Sequence, residues 1–344
     1  MELRSIASYA SAVRPLVPAT AFVPAHSRLA WLPFHAAVIT ALAWLIATGR
    51  IPNALYPVAS IAIGLSMAFV AFLGHEILHG AIVRGRIAIH ALGWLCLLPF
   101  TVSPTLWTNW HNRVHHNHCA QVGRDPDMYP TVAEYEAQFA MRIMADYFGL
   151  GGRRWRSLIS LVLGFTGQSQ QMLWQARMLR ILTPRQHARA IFEFLLGAAF
   201  WTAIAFAIGG TAFLFVFAIP VVIGNVIVMC FILTNHSLSS LTPDISDPLV
   251  NSLSVTLPRP LEWLTLGFGF HVEHHVFPTL SARHHRVVRA ALQAQFADRY
   301  QSMPLTHAVR ELYRTGRVYR DNYTLIEPRS GLMSPALRPR DSSQ

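Results

Sequence analysis

The chain has 344 residues, 53% hydrophobic and only 13% charged, against about a quarter charged in soluble domains. That balance excludes an ordinary pair of soluble domains. Apolar runs near the ~20 residues needed to cross a bilayer core of about 30 Å indicate a membrane protein instead. All 28 basic residues are arginine and the net charge is +11. Such a basic surface suits anionic lipid headgroups or an acidic partner protein, and no nucleic-acid partner is expected.

Residues 1–28, with Arg4, Arg14, Arg28 and scattered prolines, read as an N-terminal interfacial segment. Leu29 to Thr48 is the first predicted span. After the GRIPN turn, Ala54 to Gly74 is the second, and it runs directly into His75-Glu76-Ile77-Leu78-His79. Ile87 to Leu106 is apolar but broken by His90, Pro99 and Pro104, so it reads as a re-entrant or interfacial segment. Residues 107–157 are polar and lie outside the bilayer, with Trp107 and Trp110 as interfacial anchors. Leu158 to Gln175 is amphipathic and surface-lying.

Ala190 to Ile208 and Thr211 to Leu233 form two further spans, turned back on each other at Gly209-Gly210. From Ser237 a soluble cap follows, Arg-rich and helical to about Asp321, and residues 327–344 read as a disordered tail. Of the 28 arginines only Arg50 falls in a predicted outer turn, which places both termini and the histidine clusters on the cytoplasmic side. The expected fold is therefore an all-α integral membrane protein. It has four transmembrane helices in two hairpins, a re-entrant segment and a cytoplasmic helical cap. Residues 29–326 would make up its functional domain.

Histidines gather at the cytoplasmic ends of these elements. HEILH sets two imidazoles at i and i+4, HNRVHH gives i, i+4 and i+5, and HVEHH gives i, i+3 and i+4. On a helix each spacing groups side chains toward one edge. With His236 the set is His75, His79, His111, His115, His116, His236, His271, His274 and His275. Imidazole is the commonest side-chain metal ligand, and one zinc or non-haem iron takes only two to four protein ligands. This many suits two metals. His118 is a possible extra ligand, whereas His284 and His285, among arginines, read as surface residues. Cys96, Cys119 and Cys230 form no CxxC pair, so they offer neither a disulfide framework nor an iron–sulfur set, and they read as structural.

The pieces HEILHG at 75–80, HNRVHH at 111–116 with GRDPD at 123–127, NHS at 235–237 and GFHVEHHVFP at 269–278 resemble the membrane-bound fatty-acid desaturases. That family, with its related hydroxylases and ketolases, holds a di-iron centre in histidine boxes. The likeness covers roughly residues 30–295. It departs from many members in the second box, which has three residues rather than two between its first histidine and the pair. The resemblance implies that the nine histidines ligate two iron ions, with O2 as co-substrate and an acyl-lipid or acyl-thioester as substrate. The reaction would be desaturation, with hydroxylation or ketolation as the alternative.

In the same family reading Glu76 and Glu273 orient imidazole N–H groups; otherwise they pair with arginine or solvent. Asp125 and Asp127 brace the second box or cap a helix. The chain lacks a GxGxxG turn, an iron–sulfur cysteine set and a fused haem domain, so a separate electron donor is expected, an acidic ferredoxin meeting the Arg-rich cap. The expected location is a bacterial inner membrane.

Two other classes compete. HEILH is also the HExxH of zinc metalloproteases, with His75 and His79 on zinc and Glu76 as base, but that leaves the other clusters unexplained. A divalent-metal transporter needs ligands near mid-bilayer, whereas the spans are nearly free of ionisable residues, Glu193 excepted.

Overall fold

The computed structural model describes residues 2–339 and is mostly helical. Four helices are long and apolar enough to cross a membrane: His26–Ala47, Asn53–Leu78, Pro184–Ile208 and Gly210–His236. Runs of this kind must be helical in lipid, where only internal bonds can satisfy the backbone. The pair Arg86–Phe100 and Pro104–His118 is bent by 108° at its break, the geometry of a broken span or a re-entrant loop. The chain forms two compact units, each discontinuous in sequence. One comprises Pro24–Trp110 and Val162–Val228; the other takes the N-terminal residues to Val23, His111–Leu161 and the residues from Met229.

In the first unit, helices approach closely through small residues, as membrane helices do. A Cβ on Gly64 would stand 2.7 Å from the Pro220 carbonyl oxygen, and one on Gly74 would stand 2.7 Å from Cys96 Cβ. Gly64→Ala is expected to destabilise the unit by about 1–3 kcal/mol through overpacking, seen as a lower unfolding midpoint in detergent. Gly210→Ala, where nothing lies within 4 Å of the added carbon, should leave the midpoint unchanged.

The bend is built locally. Thr101 takes a left-handed conformation (φ 53°), and Ser103 caps the following helix, its Oγ accepting from the Leu106 N–H. Trp107 and Trp110 are buried here and pack on each other, and Trp107 also packs on Phe165, so they are core aromatics rather than interfacial anchors. The Ile159–Gln175 helix buries Phe165, Met172 and Leu173 and exposes Ile159, Leu163 and Trp174, so its outer face is largely apolar and the amphipathic pattern expected from the sequence is not seen.

The second unit has a core of Tyr9, Val13, Leu249, Val272, Val276, Leu280, Val288 and Leu292. The N-terminal helix Ile6–Val13 therefore belongs to this core through Tyr9 and Val13. Asp247, fully buried, fixes it by accepting from the Arg4 N–H (2.8 Å) and from Arg299 Nη2 (2.7 Å). Strand β1 (Ser254–Thr256) pairs in parallel with β2 (Ser302–Pro304). Strands β3 (Val318–Asp321), β4 (Thr324–Glu327) and β5 (Leu332–Pro335) form an antiparallel sheet.

That sheet corrects the tail reading. Residues 327–339 are ordered by β5 and by the Ser240–Leu337 backbone bond, a long-range pairing that composition does not reveal. The rest of the expected tail lies outside the described residues.

Candidate metal centre

The HNRVHH segment sits on a π-helix, Thr108–His115, running on into His116–His118. Its i→i+5 bonding winds more residues into each turn than an α-helix does, so position i+5 returns nearly above i. That is why one element can aim both His115 and His116 beside His111. The His111 and His115 rings stack at 5.2 Å, and His116 Nε2 stands 3.3 Å from His111 Nε2. The third box lies on the short helix His271–Val276, every residue of which is buried.

Within the second unit seven imidazoles fall into two sets. In one, His236 Nε2 is 3.2 Å from His115 Nε2 and 2.6 Å from His271 Nε2, which is 3.0 Å from His275 Nε2. In the other, His116 Nε2 is 3.3 Å from His111 Nε2 and 3.1 Å from His274 Nε2. The stacked rings of His116 and His275, 4.3 Å apart, join the sets. Two nitrogens bound to one metal at about 2.1 Å and at right angles stand about 3 Å apart. Histidines at such spacings are compatible with metal binding. In the first unit, His75 and His79 close the Tyr56–Leu78 helix with rings 4.7 Å apart, and His75 packs on Trp107 at 6.1 Å.

Partners on the outer nitrogens orient the rings. His115 Nδ1 lies 3.0 Å from Asp125 Oδ1 and 3.4 Å from Asp127 Oδ2, which leaves Nε2 for a metal. Burial works against an ionised Asp125. The adjoining His115 and the Ala120 and Asp127 amides outweigh it and hold the carboxyl below its usual value. Asp125→Ala should thus weaken metal binding by about 10–100-fold, read by chelator competition, with Asp125→Asn recovering part of it. His236 Nδ1 donates to the Asn251 carbonyl at 2.9 Å, a partner that nothing in the local sequence marks. Burial, and then the charge that His116, His271, His236 and His115 would carry, hold His275 well below the ordinary imidazole value, in the neutral form that binds metal.

Other predicted residues sit differently. Glu273 is fully buried but turns away from the imidazoles, accepting from Ser254 Oγ (2.6 Å), Tyr300 Oη (2.5 Å) and Arg289 Nε (2.8 Å). Lying between His271 and His274 on so short a helix, it faces the opposite side and anchors the helix instead. Glu76 is ion-paired to Arg28 at 2.7 Å. His118 Nδ1 stands 3.0 Å from Gln121 Oε1, and the ring lies outside the two imidazole sets. His285 is buried rather than a surface residue; its Nε2 meets the Leu280 carbonyl at 3.1 Å and its ring lies 6.3 Å from His274. Cys119, 3.3 Å from His236 Nδ1, is held well above the usual thiol value, first by burial and then by Asp125 and Asp127, which keeps it a thiol.

The sequence profile of the family described as Fatty acid desaturase matches residues 52–306 of the chain. No curated protein sequence matches it significantly.

Proposed function

The chain belongs to the fatty acid desaturase family, and from that premise we propose that it introduces a carbon–carbon double bond into a fatty acyl chain at a histidine-ligated di-iron centre. The observation that carries this reading is the division of seven imidazoles into two sets whose Nε2 atoms stand 2.6–3.3 Å apart. One zinc, as in a protease, leaves most of them without a role. The ion pair between Arg28 and Glu76 also engages the carboxylate that a protease would need as its base. In this reading His75 and His79 are iron ligands as well, which gives nine in all.

Two irons held there would activate O2 to take hydrogen from an unactivated methylene, a step beyond any side chain. The protein's own contribution is positional. Asp125 and Asn251 set the faces of His115 and His236, while burial of His115, His271 and His275 keeps water from the reacting region. In this reading the four apolar helices span a membrane, with the metal centre and both termini on the arginine-rich cytoplasmic side. The acyl chain arrives as a lipid or thioester, and electrons arrive from a separate acidic ferredoxin-like donor.

Expression in a bacterial host of simple lipid composition, followed by mass spectrometry of total fatty acids, tests the assignment. A new monounsaturated acid, dependent on O2, is the expected product. A hydroxy or keto acid would transfer the chain to the sibling reaction, and an unaltered lipid profile with active electron donor present would refute acyl oxidation.

A further inference from the structure

The C-terminal residues beyond the family match hold a feature that box chemistry does not require. Arg317 is 2% exposed, yet among the described residues no carboxylate forms an ion pair with it. Its guanidinium donates to the Ser237 carbonyl, immediately after His236, and to Thr315 Oγ1. Burial lowers it only to about 10, so it stays charged at neutral pH.

Space for it is made by glycines. A Cβ on Gly149 or Gly151 would stand 2.9 Å from Arg317 Cγ. Burying an arginine on carbonyls is costly unless its geometry is used. Two residues on, Tyr319 donates its Oη to the Ser239 carbonyl (2.8 Å) and its N–H to the Pro130 carbonyl (2.9 Å). Further along, Leu337 N–H donates to the Leu238 carbonyl (2.7 Å) and the Ser240 N–H to the Leu337 carbonyl (3.1 Å).

The segments so gripped are the two that leave the metal centre. Residues 237–240 follow His236, and Pro130 follows the Asp125 and Asp127 loop that orients His115. His115 and His236 themselves stand 3.2 Å apart at Nε2.

We propose that residues 315–339 act as a tie bar, with Arg317 and Tyr319 as positioning residues that hold the turn after His236 against the segment after Asp125 and so set the His115–His236 spacing. The proposal rests on the metal-centre reading for its purpose, but its mechanical content is independent of which metal binds.

The test combines amide hydrogen exchange on metal-free full-length protein with total metal content after reconstitution. Tyr319→Phe removes one hydroxyl and Arg317→Lys keeps one charged donor, so both variants should fold. Expected are faster exchange confined to residues 237–241 and 119–131, and about 10-fold weaker metal retention, the lower range for loss of a partner that orients a ligand. Arg317→Met should exceed Arg317→Lys, and the exposed Arg320→Met should match the parent. Unchanged exchange in those two segments, or metal retention equal to the parent in Tyr319→Phe and Arg317→Met, overturns the tie bar. If the parent binds metal but yields no oxidised acyl product, the functional reading falls while the exchange result still decides this proposal.

Discussion

Replacing His275 with alanine is expected to strip metal from the purified protein and cut product formation by at least about 100-fold, with helical content unchanged. Losing a partner that merely orients a ligand costs about 10–100-fold in metal affinity or activity, and under the proposed function His275 is a ligand itself. It is 1% exposed, its Nε2 lies 3.0 Å from His271 Nε2, and its ring stacks on His116, where the two imidazole sets meet. If two metals bind as proposed, its loss should disturb both, whereas loss of His274 should first weaken the set containing His111 and His116. Atomic-emission metal analysis and fatty-acid mass spectrometry on the same preparation read both effects. Full activity with full metal in His275→Ala would show that this imidazole only fills space.

The largest effect on stability is expected at Glu193. This buried carboxylate accepts from Ser103 Oγ (2.7 Å), Thr105 Oγ1 (2.8 Å), the Thr105 N–H (3.2 Å) and Arg189 Nε (2.8 Å), and contacts His90 Nε2 at 2.8 Å. It thereby ties the Pro184–Ile208 helix to both arms of the 108° bend. Hydrogen bonds within membrane proteins are worth about 0.6 kcal/mol on average and up to about 1.7. Removing this acceptor should accordingly cost about 3 kcal/mol and strand buried donors. Glu193→Ala should lower the unfolding midpoint in detergent sharply and Glu193→Gln about half as much. Midpoints equal to the parent's would mean that water serves these groups equally well.

The spans and histidine boxes were readable because their signals are local. Four helices of sufficient length and apolarity occur where the hydropathy runs place them, and the broken segment around Pro99 and Pro104 is bent in the structure. Histidine spacings were visible as well, but not the π-winding that turns i, i+4 and i+5 into one cluster, because it depends on how the helix is held rather than on residue type. The N-terminal helix, β5 and the burial of His285 escaped for a related reason. Each is fixed by partners far away in sequence, such as Asp247 for Arg4 and Ser240 for Leu337.

Glu273 shows the limit most sharply. A carboxylate between ligating histidines invites an orienting role toward them, yet its neighbours Arg289 and Tyr300 come from the chain 16 and 27 residues away. His90, in the sequence only a polar break in an apolar run, finds its partner in Glu193, 103 positions distant.

The central claim is a pair of irons gripped by imidazoles. Metal analysis of the purified protein, with Mössbauer spectroscopy of a sample grown on enriched iron, tests it most directly. The account predicts two irons per chain in a coupled, nitrogen-rich environment. One zinc per chain, with no iron bound after anaerobic reconstitution, would contradict it.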